Sequence, residues 1–390
     1  MLTAGSTLGG DRGTLEIAER ILYILGEGRF SATYKFAVLA GLMDLCMERA
    51  ESDGAAPNMV TTRQLAAKII ELYWPQTARF ARTSTPSDHD LSILRQGGNS
   101  NSEQAEIVGR IVKFRECLQV DPQCPLERAR RTAPEEWRKL IDFVEWKLIE
   151  YPLPRLQRVG KIHDEFLYKI GWDTAIAKAC VSEYQRDGRG SFDNRILLLP
   201  CVGEALVRLH GLLRPLLHRQ WASKVAELNG LEESRLEEFL FGAERIALEP
   251  VRDDLRALHD DRCFYCDDRL SDSQRRRLQI DHFVPWSRHP ENAIENLVPA
   301  HEQCNGDKGD FLAARVHARR WRERMERRES DLQLIAERAG FEHAPSRVLS
   351  IARSIYLRLP ARALLWVQRD NFEEVGDESF SALLAARQAG

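Results

Sequence analysis

"CFYC" at Cys263–Cys266 and "QIDHFVPWSRHPENAIENLVPAHEQCNGDKGD" at Gln279–Asp310 decide how this chain is read. Acids, amides, histidines and thiols crowd into these two stretches, while most of the chain carries ordinary core and surface residues. The thiols have ligand spacing. Cys263-x2-Cys266 is answered by His301-x2-Cys304, with residues 267–300 between the pairs. Two tight turns that each present two ligands, joined by a loop that returns the chain, are what a tetrahedral zinc ion needs. The pattern predicts a closed and therefore structural Zn2+ site on Cys263, Cys266, His301 and Cys304. The other cysteines, Cys46, Cys117, Cys124, Cys180 and Cys201, stand singly in helical sequence. They read as small buried apolar residues in a reducing compartment.

Asp281 and His282 are adjacent, and an extended "RLQIDHFV" would point them to opposite faces. Asn296 precedes the apolar "LVPA", Asn305 follows Cys304 directly, and Lys308 comes three residues later. A hard divalent cation prefers oxygen ligands, and the Asp281 carboxylate and the Asn305 side-chain carbonyl supply two. A histidine that titrates near neutrality can take a proton from water. One metal, one imidazole base and open coordination positions are the requirements of phosphodiester hydrolysis.

The segment resembles the HNH endonucleases, whose active site is the ββα-metal fold. Its first motif position is His282 in "IDHFVPWS", its middle position Asn296 in "ENLV", and its last Asn305 in "QCNGDK". The zinc-stapled subset also carries "CFYC" upstream and a second ligand pair, here "HEQC", beside the last asparagine. The resemblance covers about residues 259–312, and His301 departs from the cysteine that many relatives carry. It implies a small α+β domain with Asp281 and Asn305 as ligands of a catalytic Mg2+ or Mn2+. It further implies His282 as the general base, and Asn296 as the residue that orients the His282 region. DNA as the substrate, with 5′-phosphate and 3′-hydroxyl products, comes from the resemblance as well. A zinc-stabilised nucleic-acid-binding module without catalysis and an RNA-directed nuclease are the competing readings.

The rest of the chain bounds these readings. Apolar residues make up 43% and charged residues 29% of the 390, a soluble globular composition. The formal net charge of −3 excludes a globally basic field, so attraction for phosphate must be local. The local candidates are Lys308, Arg275–Arg277, and the helix that follows in "FLAARVHARRWRERMERRES". That helix holds seven arginines against three glutamates, with Arg315, Arg319 and Arg322 on one face. It reads either as a phosphate-contacting arm or as a solvated Arg/Glu face. His317 on it reads as solvated, and Trp286 and Trp321 as core of the small domain. No basic, apolar leader opens the chain, so we expect a cytoplasmic protein with no membrane association.

Helical periodicity dominates before residue 250. Thr61 and Gln64 form a capping box ahead of "LAAKIIELY", and helical patterns recur over 104–119, 134–150, 172–186, 201–227 and 232–246. Residues 1–12 and 81–103 read as loops. We expect mainly helical sequence over 1–250, with a junction near Tyr151–Pro154. The nuclease domain should follow over 251–330 and a helical extension over 331–390. A nuclease module on a large helical region suggests regulation, as in restriction or phage defence. The helical region would then serve recognition of a partner protein, DNA or a signal, or self-association.

Overall fold

The computed structural model describes residues 7–27, 32–81, 91–97, 104–118, 124–159, 162–163, 165–188, 190–233, 236–242, 247–271, 277–376 and 380–385. Residues 1–6, most of the polar stretch 81–103, and Arg275 and Arg276 lie outside the described residues. The chain divides into two compact units, Met1–Cys46 with Pro57–Arg245 and Met47–Ala56 with Ile246–Gly390.

The first unit is mainly helical. Its helix Thr62–Tyr73 starts where the sequence places it. The Thr61 hydroxyl accepts from Gln64 N at 3.2 Å and Gln64 Oε1 accepts from Thr61 N at 2.9 Å, closing the capping box. Leu65, Ile69, Ile70 and Tyr73 are buried on one face of that helix. They pack toward helix Pro134–Glu150, which buries Leu140, Val144 and Leu148. Polar links fix the pair, as Thr62 Oγ donates to Glu145 at 2.6 Å and Arg63 pairs with Asp142 at 2.8 Å. A three-stranded antiparallel sheet, Met59–Thr61, Arg195–Leu198 and Tyr168–Ile170 with the second in the centre, completes this layer. The expected junction at Tyr151–Pro154 is no boundary. Leu153–Arg155 is a 3-10 turn inside the first unit, held by the Tyr168 hydroxyl on Leu153 O at 2.8 Å. The expected helix over 201–227 is two, Val202–Arg208 and His210–Asn229.

The second unit carries the quoted stretch. Strands Leu278–His282 and Leu297–His301 pair antiparallel, with Asp281 opposite Val298 and His282 opposite Leu297. Helix Glu302–Lys308 follows without a linker, giving a ββα order. Gly309 ends that helix with φ +47° and ψ −127°, a conformation that L side chains rarely adopt. The core is shared with segments on either side. Val251 and Leu255 of helix Glu249–Leu258 pack with Ile294, Leu297, Leu332, Ile335 and Phe341. Residues 251–330 and 331–390 therefore share one core and are not separate bodies.

The extension is also not helical throughout. After helices Glu329–Ala339 and Pro345–Tyr356, Leu364–Gln368 and Asn371–Glu374 form an antiparallel hairpin. Its turn uses Arg369 at φ +50°. The hairpin docks on the ββα segment through Trp366 N to Leu312 O and Ala314 N to Trp366 O, both 2.8 Å. Among the described residues, no helix is long and apolar enough to cross a membrane.

Candidate active site

The structure brings Cys263, Cys266, His301 and Cys304 together, with their ligand atoms all within 4.8 Å of one another. His301 Nδ1 lies 3.3 Å from Cys266 Sγ and 3.8 Å from Cys304 Sγ. Its Nε2 donates to Arg269 O at 3.0 Å, which fixes the tautomer with Nδ1 free to ligate. The Cys263 thiol is pulled down to about 5 by the hydrogen bond from Cys304 and by backbone N–H groups of Cys266, His301 and Tyr265, against its burial. The same contact, with burial and the other sulfurs, pushes Cys304 up. Three crowded sulfurs cannot all ionise beside one another unless a cation lies between them. The donor set and its closure therefore fit zinc.

One knuckle residue reaches the second cluster. The Tyr265 hydroxyl, between Cys263 and Cys266, donates to Asp281 Oδ2. Lys308 Nζ lies 2.9 Å from the same oxygen and donates to His282 O at 2.9 Å. Lys308 is 0% exposed. The expectation that Lys308 contacts phosphate is thereby corrected. A lysine this deep is retained because carboxylate and carbonyl oxygens accept its hydrogen bonds, and it positions Asp281 and His282.

Gln279 and Asp281 share a face of their strand, being two residues apart. Asn305 Nδ2 donates to Gln279 Oε1 at 2.7 Å, so Asn305 lies over that face, one helical turn before Lys308. Asp281 and Asn305 thus belong to one strand–helix contact, which the pairs Gln279–Asn305 and Asp281–Lys308 make. The Asp281 Oδ1 and Asn305 Oδ1 atoms are the oxygens that fit a hard divalent cation.

His282 is half-buried at the end of the strand, and its ring centroid lies 5.3 Å from that of Trp286. Its Nε2 lies 2.8 Å from Asn292 Oδ1. An amide oxygen only accepts, so the ring proton sits on Nε2 and the lone pair on Nδ1. Burial lowers the imidazole below its ordinary range, opposed by Asn292 and Asp281, and favours the neutral form that a base requires. Asn296 is 0% exposed and makes its hydrogen bonds to backbone groups. Its Oδ1 accepts from Val284 N at 2.8 Å, and its Nδ2 donates to Val284 O at 3.1 Å and Glu291 O at 3.0 Å. It clamps the segment between the strands and so orients the backbone after His282.

Asn292, Gln279, Tyr265 and Glu291 were not legible as site residues. Glu291 is braced from outside the quoted stretch. Arg347 donates to both of its oxygens at 2.6 and 2.9 Å, and Glu291 Oε1 accepts from Ala293 N at 2.7 Å. Burial alone would raise this carboxyl, but Arg347 brings it down to about 2, so the brace stays charged.

The arginine helix, Arg315–Arg327, turns only part of its charge to solvent. Arg324 is buried and donates to Leu297 O and Glu295 O. Arg320 donates to Phe264 O and Tyr265 O. Arg315 lies over the Phe380 ring at 4.3 Å, and Arg322 pairs with Glu326 at 2.9 Å. Of the three residues expected to share a DNA-contacting face, Arg319 alone is exposed. His317 is buried and donates to Val367 O at 2.7 Å, which corrects its reading as solvated. Trp321 is core, stacked on Phe283 at 4.5 Å, whereas Trp286 borders the imidazole.

Residues 263–314 match the family model described as HNH endonuclease. No curated protein and no solved structure matches the chain. The ββα order and the cysteine–histidine cluster give the match a physical basis. Residues 263–314 form an HNH endonuclease domain whose Cys3His cluster fits zinc, set within a longer chain.

Proposed function

We propose that the protein is a divalent-metal-dependent endonuclease that hydrolyses phosphodiester bonds of DNA, leaving 5′-phosphate and 3′-hydroxyl ends. The observation that carries this reading is the strand–helix contact made by the pairs Gln279–Asn305 and Asp281–Lys308, with His282 next to Asp281 in the chain and its Nδ1 lone pair set by Asn292. Asp281 and Asn305 would hold Mg2+ or Mn2+. When bound, such a cation neutralises charge that develops on the scissile phosphate and the leaving oxygen.

The chain's own residues do the rest. His282 Nδ1 takes a proton from the attacking water as the new P–O bond forms and the bond to the 3′ oxygen breaks, and the leaving 3′ oxygen takes up a proton from solvent. Lys308 and Tyr265 hold Oδ2 of Asp281, which would leave Oδ1 to ligate a cation. Asn296 fixes the backbone behind the imidazole. A binding module without catalysis is disfavoured, because such a module has no use for Asp281, His282 and Asn305 in this arrangement. The choice of DNA over RNA rests on the resemblance to the HNH endonucleases alone. The helical first unit suits a partner-binding, self-associating or signal-sensing role, as in a cytoplasmic restriction or phage-defence effector.

The test offers supercoiled plasmid and structured RNA to the purified full chain with Mg2+ or Mn2+. Nicked plasmid is expected, with cleavage lost in chelator and in Asp281→Ala. Cleavage by Asp281→Ala at the wild-type rate would overturn the metal-site assignment, and cleavage of RNA alone would reassign the substrate.

Asn292 has its own expected effect. Asn292→Ala removes one hydrogen bond to His282 and frees the ring. The loss should be about fivefold in single-turnover cleavage, since one such bond is worth roughly 1 kcal/mol net. Asn292→Asp keeps an acceptor at the same place and should retain more activity than Asn292→Ala. Equal rates for the two variants would remove Asn292 from this role.

A further inference from the structure

An asparagine side chain has two ends of nearly the same shape, and only its carbonyl end can ligate a hard cation. Something must decide which end of Asn305 faces the cation site. We propose that Gln279 is the positioning residue that does so. It accepts from Asn305 Nδ2 through Oε1 at 2.7 Å. With the NH2 end committed to Gln279, Asn305 Oδ1 is turned away from it and presented as a ligand. The inference rests on Asn305 being a ligand, as the functional reading above has it.

The placement follows from the two elements. Gln279 and Asp281 lie about 6.7 Å apart along one face of the strand. Asn305 and Lys308 lie about 4.5 Å apart along the helix. The two rungs are joined in order, Gln279 to Asn305 at 2.7 Å and Asp281 to Lys308 at 2.9 Å. Each prospective ligand therefore has a neighbour that occupies its non-ligating end. Lys308 and Tyr265 hold Asp281 Oδ2, and Gln279 holds Asn305 Nδ2. Gln279 is half-buried, so water competes weakly for its oxygen.

The experiment measures Mn2+ affinity by isothermal titration calorimetry on the zinc-loaded full chain, with zinc content and thermal midpoint as controls. The proteins are wild type, Gln279→Met, Asn305→Ala, Asn305→Asp and Gln279→Met/Asn305→Asp. Gln279→Met keeps the length of the side chain and removes the acceptor. It should weaken Mn2+ binding about three- to tenfold, the cost of freeing one ordered side chain, with zinc content and midpoint unchanged. An aspartate at 305 has two equivalent oxygens and no wrong end. In the Asn305→Asp background, Gln279→Met should change affinity by less than about twofold, which is the coupling that a positioning role requires. Equal losses in both backgrounds would overturn the proposal, because Gln279 would then act on the fold and not on the amide. No loss in Gln279→Met, with Asn305→Ala weakened, would overturn it as well. If Asn305→Ala itself binds Mn2+ like wild type, the ligand assignment fails and the functional reading fails with it.

Discussion

His282→Ala is expected to lower single-turnover cleavage about 10²–10⁴-fold, the range that loss of one positioned general base produces. Mn2+ affinity and zinc content should stay near wild type, because the imidazole faces Asn292 and Trp286 and is not a zinc ligand. The variant should fold, since His282 is only half-buried and its backbone carbonyl still receives Lys308. Imidazole added to the buffer should restore part of the rate in His282→Ala and none in Asp281→Ala. The first variant lacks a base and the second lacks a ligand. Cleavage by His282→Ala at the wild-type rate would remove the residue from the chemistry. A loss accompanied by weakened Mn2+ binding would make it a ligand or a structural group instead.

The parts of this site that the sequence disclosed are those whose chemistry is local. Two x2 ligand pairs carry their meaning in residue type and spacing, and the fold brings Cys263, Cys266, His301 and Cys304 together as that spacing implies. Asn292, Gln279 and Tyr265 carry none, because each acts through one tertiary contact. Asn292 meets His282 10 residues away, Tyr265 meets Asp281 16 away, and Gln279 meets Asn305 26 away. No periodicity links such positions, and an isolated Asn, Gln or Tyr is usually a turn or surface residue.

Lys308 shows the converse error. A lysine beside a phosphate-cleaving motif reads as exposed, and only the positions of Asp281 Oδ2 and His282 O explain why it is buried. The arginine helix fails for the same reason. Composition marks it as basic, but Arg324 and Arg320 spend their charge on backbone carbonyls inside the unit. In the extension, "LLWVQRDNFEE" was read with its helical neighbours, although a two-residue turn at Arg369–Asp370 folds it back as strands.

Zinc removal should have the larger structural consequence. Cys266→Ser is expected to lose the zinc ion and the cooperative unfolding transition of the second unit, and with them all cleavage. A structural zinc binds with roughly 10–16 kcal/mol in small domains. A whole domain is stable by only about 5–15 kcal/mol. Losing the ion therefore removes about as much as the unit has. The damage should also reach the active site by a specific path. Tyr265 sits between two zinc ligands and donates to Asp281, and the helix that carries Cys304 also carries Asn305 and Lys308. Without zinc the knuckle and that helix lose their common anchor, so Asp281 and Asn305 should cease to hold Mn2+. Elemental analysis of wild type should give one zinc per chain, and Cys266→Ser none. Melting should show the early loss of one transition in the variant. His301→Cys, which keeps four ligands of the zinc-binding type, should retain both the ion and the transition. A wild-type protein free of zinc when purified without chelator, and still cleaving, would show that the four side chains hold the fold by packing alone.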